Sequence, residues 1–243
     1  MVNLINNTTY LVIFGSLVSL LGTMVGASLG VLIKNPSKKV LGSVIGFAGG
    51  IMLSVVVFDL IPEALNKWSF KGTLFFCILG IVLVIFADTK IKINNVNLHT
   101  KVAVITAIGL MIHNFPEGVI MGCGFAAGGT LGIKMALIIG IHDIPEGIAV
   151  SAPLMASDIK IYKILIYAFL TAFPTVLGTL LGAFISHIST NVLGACLSFA
   201  SGIMLYVVCG EMIPESSKLW DGITSTLGVL AGVIVGLIIT HIL

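Results

Sequence analysis

Two short segments stand out because their side chains could do chemistry: His113-Asn114-Phe115-Pro116-Glu117-Gly118 and His142-Asp143-Ile144-Pro145-Glu146-Gly147. In each, His and Glu stand four apart, which puts them on one helix face a turn apart. Two imidazoles and two carboxylates from two helices suit a divalent cation of borderline softness. The expected ligands are His113, Glu117, His142 and Glu146. Asn114 and Asp143 stand beside them, to hold a second ion or to orient the first set. The competing reading is a polar network between helices; two matched His-x-x-x-Glu sets favour metal.

The elements that must position these residues are apolar. The chain of 243 residues is 58% hydrophobic and 9% charged, with mean hydropathy +1.18. A soluble domain carries about 25% charge, so an all-α membrane protein is expected. The alternating pattern of a β-barrel is absent. Apolar runs predict eight spans, at roughly 10–33, 40–64, 72–88, 102–124, 131–155, 161–186, 192–215 and 222–242. At 1.5 Å per residue the span 4 motif lies ~21 Å from Lys101 and the span 5 motif ~15 Å from Lys134. In a hydrocarbon core of ~30 Å both fall near the midplane. Pro116 and Pro145 each remove a backbone donor and displace the carbonyl four residues earlier. Uncompensated carboxylates are strongly disfavoured at that depth. Glu117, Asp143, Glu146 and, more distantly, Asp59 therefore call for a cation.

All twelve basic residues are lysines. Nine (Lys34, Lys38, Lys39, Lys90, Lys92, Lys101, Lys160, Lys163, Lys218) fall after odd-numbered spans and three (Lys67, Lys71, Lys134) on the other side. This places the odd loops in the cytoplasm and both termini outside. Met1 to Thr9 lacks the positive start of a cleaved signal, so span 1 is expected to be retained. The four cysteines lack CxxC spacing and are expected to be buried thiols.

The chain also repeats itself. Offset by 152, Phe47–Glu63 overlies Phe199–Glu215 without a gap, with 11 of 17 positions identical and Asp59 over Glu211. Spans 1–3 then match spans 6–8. Three is odd, so the copies cross the membrane in opposite directions, as in secondary transporters. The expected organisation is one transmembrane domain over 1–243, with repeat units at about 8–90 and 160–243 around metal-site helices at about 100–156. Asp59 with Glu63, and Glu211 with Glu215, would place an acidic pair at each mouth of a path, where carboxylates concentrate cations. Gly22, Gly26 and Gly30, with Gly178 and Gly182, have the small-residue spacing of closely packed helices.

The paired motif, the span 2 stretch Gly46–Leu53 and the span 7 stretch ending Glu211-Met212-Ile213-Pro214-Glu215 resemble the ZIP (Zrt/Irt-like) metal transporters, in particular the bacterial and GufA-like branches. The resemblance covers the whole chain. It implies eight helices in a 3+2+3 arrangement, often a homodimer, and movement of a divalent metal into the cytoplasm. The metal is zinc most often, with Fe2+, Mn2+ or Cd2+ in some members. It also implies a two-metal centre: His113, Glu117, His142 and Glu146 with Met52 as a soft ligand at one site, and Asn114, Glu117, Asp143 and Glu146 at the other. Two positions depart from the pattern. Phe173 stands before Pro174 where many relatives have a glutamate, and Gly210 where relatives can have a histidine. The first implies a weaker second site or a single ion.

The leading expectation is zinc uptake across the cell membrane, with the metal as cargo, no organic cofactor and no nucleic-acid partner. Two rivals stay open. An intramembrane metallohydrolase would need His-Glu-x-x-His, which is absent. An ion-coupled carrier of an organic solute would use the carboxylates for protons or sodium, although sodium prefers oxygen ligands and has no use for paired histidines.

Overall fold

In hydrocarbon a chain must satisfy its own backbone hydrogen bonds, and apolar runs of this length do so as helices. The computed structural model describes residues 2–33, 37–90, 111, 114–126, 130–155, 159–185 and 189–242. Among them there is no strand. The helices are α1 (Val2–Ile33), α2 (Lys38–Lys67), α3 (Phe70–Lys90), α4 (114–126), α5 (Thr130–Met155), α6 (Ile161–Ile185), α7 (Thr190–Leu219) and α8 (Ile223–Ile242). Five described segments are long and apolar enough to cross a membrane by that measure alone: Thr9–Leu32 within α1, and α2, α6, α7 and α8. His113 and most of the predicted start of span 4 lie outside the described residues.

The repeat reaches further in the backbone than in the letters. The Ser37 hydroxyl caps α2 by accepting from the Val40 N–H, and Ser189, 152 positions on, caps α7 by accepting from the Val192 N–H. Each helix widens into a π segment, Val56–Leu60 in α2 and Val207–Met212 in α7. Each π segment ends just before an Ile-Pro-Glu run. Pro62 and Pro214 cannot donate to the carbonyl four residues back. The preceding N–H groups, Ile61 and Ile213, reach instead to Val56 and Val208, five back. Both helices stop at an extended tryptophan, Trp68 and Trp220, again 152 apart.

Small residues decide which helices touch. A Cβ on Gly22 or Gly26 of α1 would meet the carbonyls of Gly140 or Ile144 in α5, and one on Gly147 would meet that of Thr23. Gly118 and Gly122 of α4 sit in the same way against Thr175 and Thr179 of α6, and Gly178 and Gly182 of α6 against Phe115 and Val119. Gly118 and Gly147, the last residues of the two motifs, are thus seats for neighbouring helices. A second group pairs α2 with α8 (Gly50 on Val229, Gly232 on Phe47) and α3 with α7 (Gly80 on Phe199, Gly202 on Cys77). Ser43 and Ser54 of α2 donate to the Thr224 and Val233 carbonyls of α8.

Beside an apolar core, the helices carry hydroxyls inward and many large apolar side chains outward. Ser16, Ser19, Thr23, Thr171, Thr175 and Thr179 are buried, while Phe75, Phe86, Leu180 and Phe184 are exposed. That polarity suits lipid, where packing and interior hydrogen bonds hold helices together. The cysteines are free. Cys123 is buried and donates weakly to the Gly182 carbonyl at 3.6 Å; Cys209, against expectation, is exposed. It sits on the wide π segment of α7.

Candidate metal centre

The geometry begins with His142 on α5. Its Nδ1 lies 3.1 Å from the Ile138 carbonyl, one turn back. A carbonyl only accepts, so Nδ1 carries the proton. The other ring nitrogen, Nε2, therefore turns toward two carboxylates, Glu117 Oε1 at 3.1 Å and Asp143 Oδ1 at 3.6 Å. Metal-bound histidines are oriented in this way, one nitrogen donating to a carbonyl and the other facing the ion. One ligand atom from each of Glu117, His142 and Asp143 falls within 4.8 Å of the others, and all three residues are buried.

The remaining polar contacts leave acceptors without donors. The Ser19 hydroxyl of α1 donates to Asp143 Oδ2 at 2.6 Å. Asn114 of α4 donates through Nδ2 to the Thr171 carbonyl of α6 at 2.8 Å. Asn114 Oδ1, Glu117 Oε2 and Asp143 Oδ1 are buried with no hydrogen-bond partner among the described residues. Glu117 is 0% exposed. Three oxygens that only accept, beside an imidazole nitrogen, are costly in a low-dielectric interior and are what a cation compensates. The donors present, one nitrogen and several oxygens, suit Zn2+ and other first-row dications as cargo.

His113 lies outside the described residues; the other expected ligands can be placed. Glu117, His142 and Asp143 come together. Asn114 and Glu146 are buried, the latter a turn beyond His142 on α5. Asp143 joins the group beside Glu117 and His142. Met52 is fully buried in α2, within the main apolar cluster. Phe173 turns away: its ring is 40% exposed and lies 6.1 Å from that of Phe169. At this level α6 offers the Thr171 carbonyl and the buried Thr175 hydroxyl, which itself lacks a partner among the described residues.

The acidic residues expected at the two mouths are less bare than the sequence suggests. Asp59 binds Lys134 of α5 at 2.8 Å. Glu63 pairs with Lys67 at 3.2 Å, and the exposed Glu215 stands 4.0 Å from Lys218. Glu211 is half-buried in the π segment of α7. Sequence reasoning missed Ser19, whose partner lies 124 residues away, and gave Lys134 a place in the lysine count and at the start of span 5 but no partner.

Comparison with known proteins places the chain among metal transporters. Residues 90–240 match the family described as ZIP Zinc transporter. The chain is 34% identical over 226 residues to the zinc transporter ZTP29 of Arabidopsis thaliana, covering 82% of each chain. It is 30% identical to the zinc transporter ZupT of Shigella flexneri over 86% of this chain and 88% of that one. It is 28% identical to the ZupT of Corynebacterium aurimucosum over 90% and 92%. The chain belongs to the ZIP family of metal transporters. It is a multi-pass membrane transporter and not an enzyme, which sets aside the metallohydrolase.

Proposed function

We propose that this transporter carries Zn2+ from outside the cell membrane into the cytoplasm, through a midplane site shared by α4 and α5. The observation that carries the reading is the convergence of Glu117, His142 and Asp143, with buried oxygens around them that have no donor among the described residues. Asn114, Glu146, Met52 and His113 complete the proposed ligand set, His113 on the motif match alone. Ions would approach past Asp59 and Glu63, exchange water for nitrogen and oxygen ligands, and leave past Glu211 and Glu215. Protons compete for the same ligand atoms, so transport slows as the pH falls.

The matching caps, π segments and terminal tryptophans of α2 and α7 support an inverted repeat of helices 1–3 and 6–8, in a 3+2+3 order within one domain. The lysine distribution supports both termini outside, and the motif pair supports the bacterial, GufA-like branch. A homodimer in the bilayer completes the reading. With Phe173 facing outward, the centre is proposed to hold one ion tightly. Fe2+, Mn2+ and Cd2+ are the competing cargoes.

The test is zinc flux into sealed vesicles containing the full chain. Glu117→Gln keeps the shape but loses the charge, and is expected to cut uptake at limiting zinc by about a hundredfold, in line with loss of a ligand or its support. Unchanged uptake in His113→Ala with Glu117→Ala would remove the site from the path.

A further inference from the structure

Lys134 is the one basic side chain drawn from α5 onto the other helix group among the described residues. Its ammonium donates to Asp59 Oδ1 of α2 at 2.8 Å and to the Thr240 carbonyl of α8 at 2.6 Å. Lys134 and Asp59 side chains are only 14% and 13% exposed. The second carboxylate oxygen, Asp59 Oδ2, is buried with no hydrogen-bond partner among the described residues. A carboxylate and a carbonyl around a positive charge form a cation site, and here the positive charge belongs to the protein.

The two ends of α5 differ. At the Lys134 end it is tied to α2 and α8. About 15–20 Å further along, at 1.5 Å per residue, Ile144, Pro145 and Ile148 face Lys39, Ser43 and Phe47 of α2 across a cleft of about 460 Å³. The helix groups are therefore fastened at the end that the lysine count assigns to the outside, and parted at the other.

We propose that Lys134 gates the entrance. Its ammonium occupies the Asp59–Thr240 cation site. An arriving dication displaces it, and the displacement unties α5 from α2 and α8 so that the centre can open outward. A doubly charged ion gains more from Asp59 than an ammonium does, and it can also engage Oδ2, which the ammonium leaves without a partner. The lysine also disfavours monovalent cations, which gain no charge advantage by replacing it. The proposal rests on the transport reading and adds a residue to it.

The experiment uses the full chain in sealed phosphatidylcholine vesicles with a membrane-impermeant amine-acylating reagent, and modification of Lys134 is read by mass spectrometry. External zinc is expected to raise Lys134 modification about tenfold, a typical coupling between two sites, and to leave Lys67 unchanged. Asp59→Asn is expected to make Lys134 reactive without zinc. Lys134→Met, nearly isosteric, is expected to lower the half-saturating zinc for uptake, whereas Lys134→Arg, which keeps a cation on Asp59, does not. Zinc uptake by vesicles whose Lys134 is equally modified with and without zinc overturns the gate and leaves the transport reading standing. No zinc uptake by the unaltered protein overturns the transport reading itself.

Discussion

At the residue scale the centre is a matter of where protons and lone pairs go. His142 commits Nδ1 to Ile138, and Ser19 commits Asp143 Oδ2 to itself, so the free sides of both groups turn to the same space as Glu117. His142 and Glu117 were legible in the sequence, since each belongs to a His-x-x-x-Glu set and the two sets were expected at one depth. Ser19 was not: serines are common in packed membrane helices, and nothing local marks this one. Its role predicts that Ser19→Ala leaves Asp143 free to rotate and weakens zinc binding about 10–100-fold, as loss of an orienting partner does. Ser19→Thr, which keeps the hydroxyl, is expected to retain most of the affinity. Titration of the purified protein with zinc checks both, and equal affinity for all three proteins would deny Ser19 this role.

At the element scale, glycine stripes press the ligand-bearing helices against the repeat helices. α5 rests on α1 through Gly22 and Gly26, and α4 rests on α6 through Gly178 and Gly182. The stripes were visible as spacing, but their partners were not, because small-residue spacing does not say which helix fills the groove. The π segments were hidden for a different reason. Val56–Leu60 and Val207–Met212 read as continuations of their helices, and only Pro62 and Pro214 hint at widening. Gly26→Leu forces a side chain into the Ile144 carbonyl and is expected to cost at least ~1–3 kcal/mol, the usual penalty of overpacking. Leu29→Ala on the exposed face of α1 is expected to cost much less. Thermal unfolding in detergent checks the contrast; equal losses would mean that the stripe does not seat α5.

At the scale of the whole molecule, the letters repeat over Phe47–Glu63, while the backbone repeats from Ser37 to Trp68 and from Ser189 to Trp220. The extra matches are caps and helix ends, where a single serine or tryptophan carries little weight in a sequence comparison. Lys134 shows the opposite limit. It counted only as one of three lysines assigned to the outside, yet it makes long-range contacts with Asp59 and Thr240. The lysine distribution predicts that epitopes at both ends of the chain bind antibody on intact cells without permeabilisation. Labelling of either end only after permeabilisation would refute that orientation.

The central claim is that one dication sits among the donors of α4 and α5. Crystals of the full chain soaked in zinc, measured above and below the zinc absorption edge, test it most directly. The account predicts an anomalous peak within about 2.0–2.2 Å of His142 Nε2 and of carboxylate oxygens from Glu117 and Asp143. A zinc-transporting protein whose only zinc peaks lie away from these three residues would contradict it.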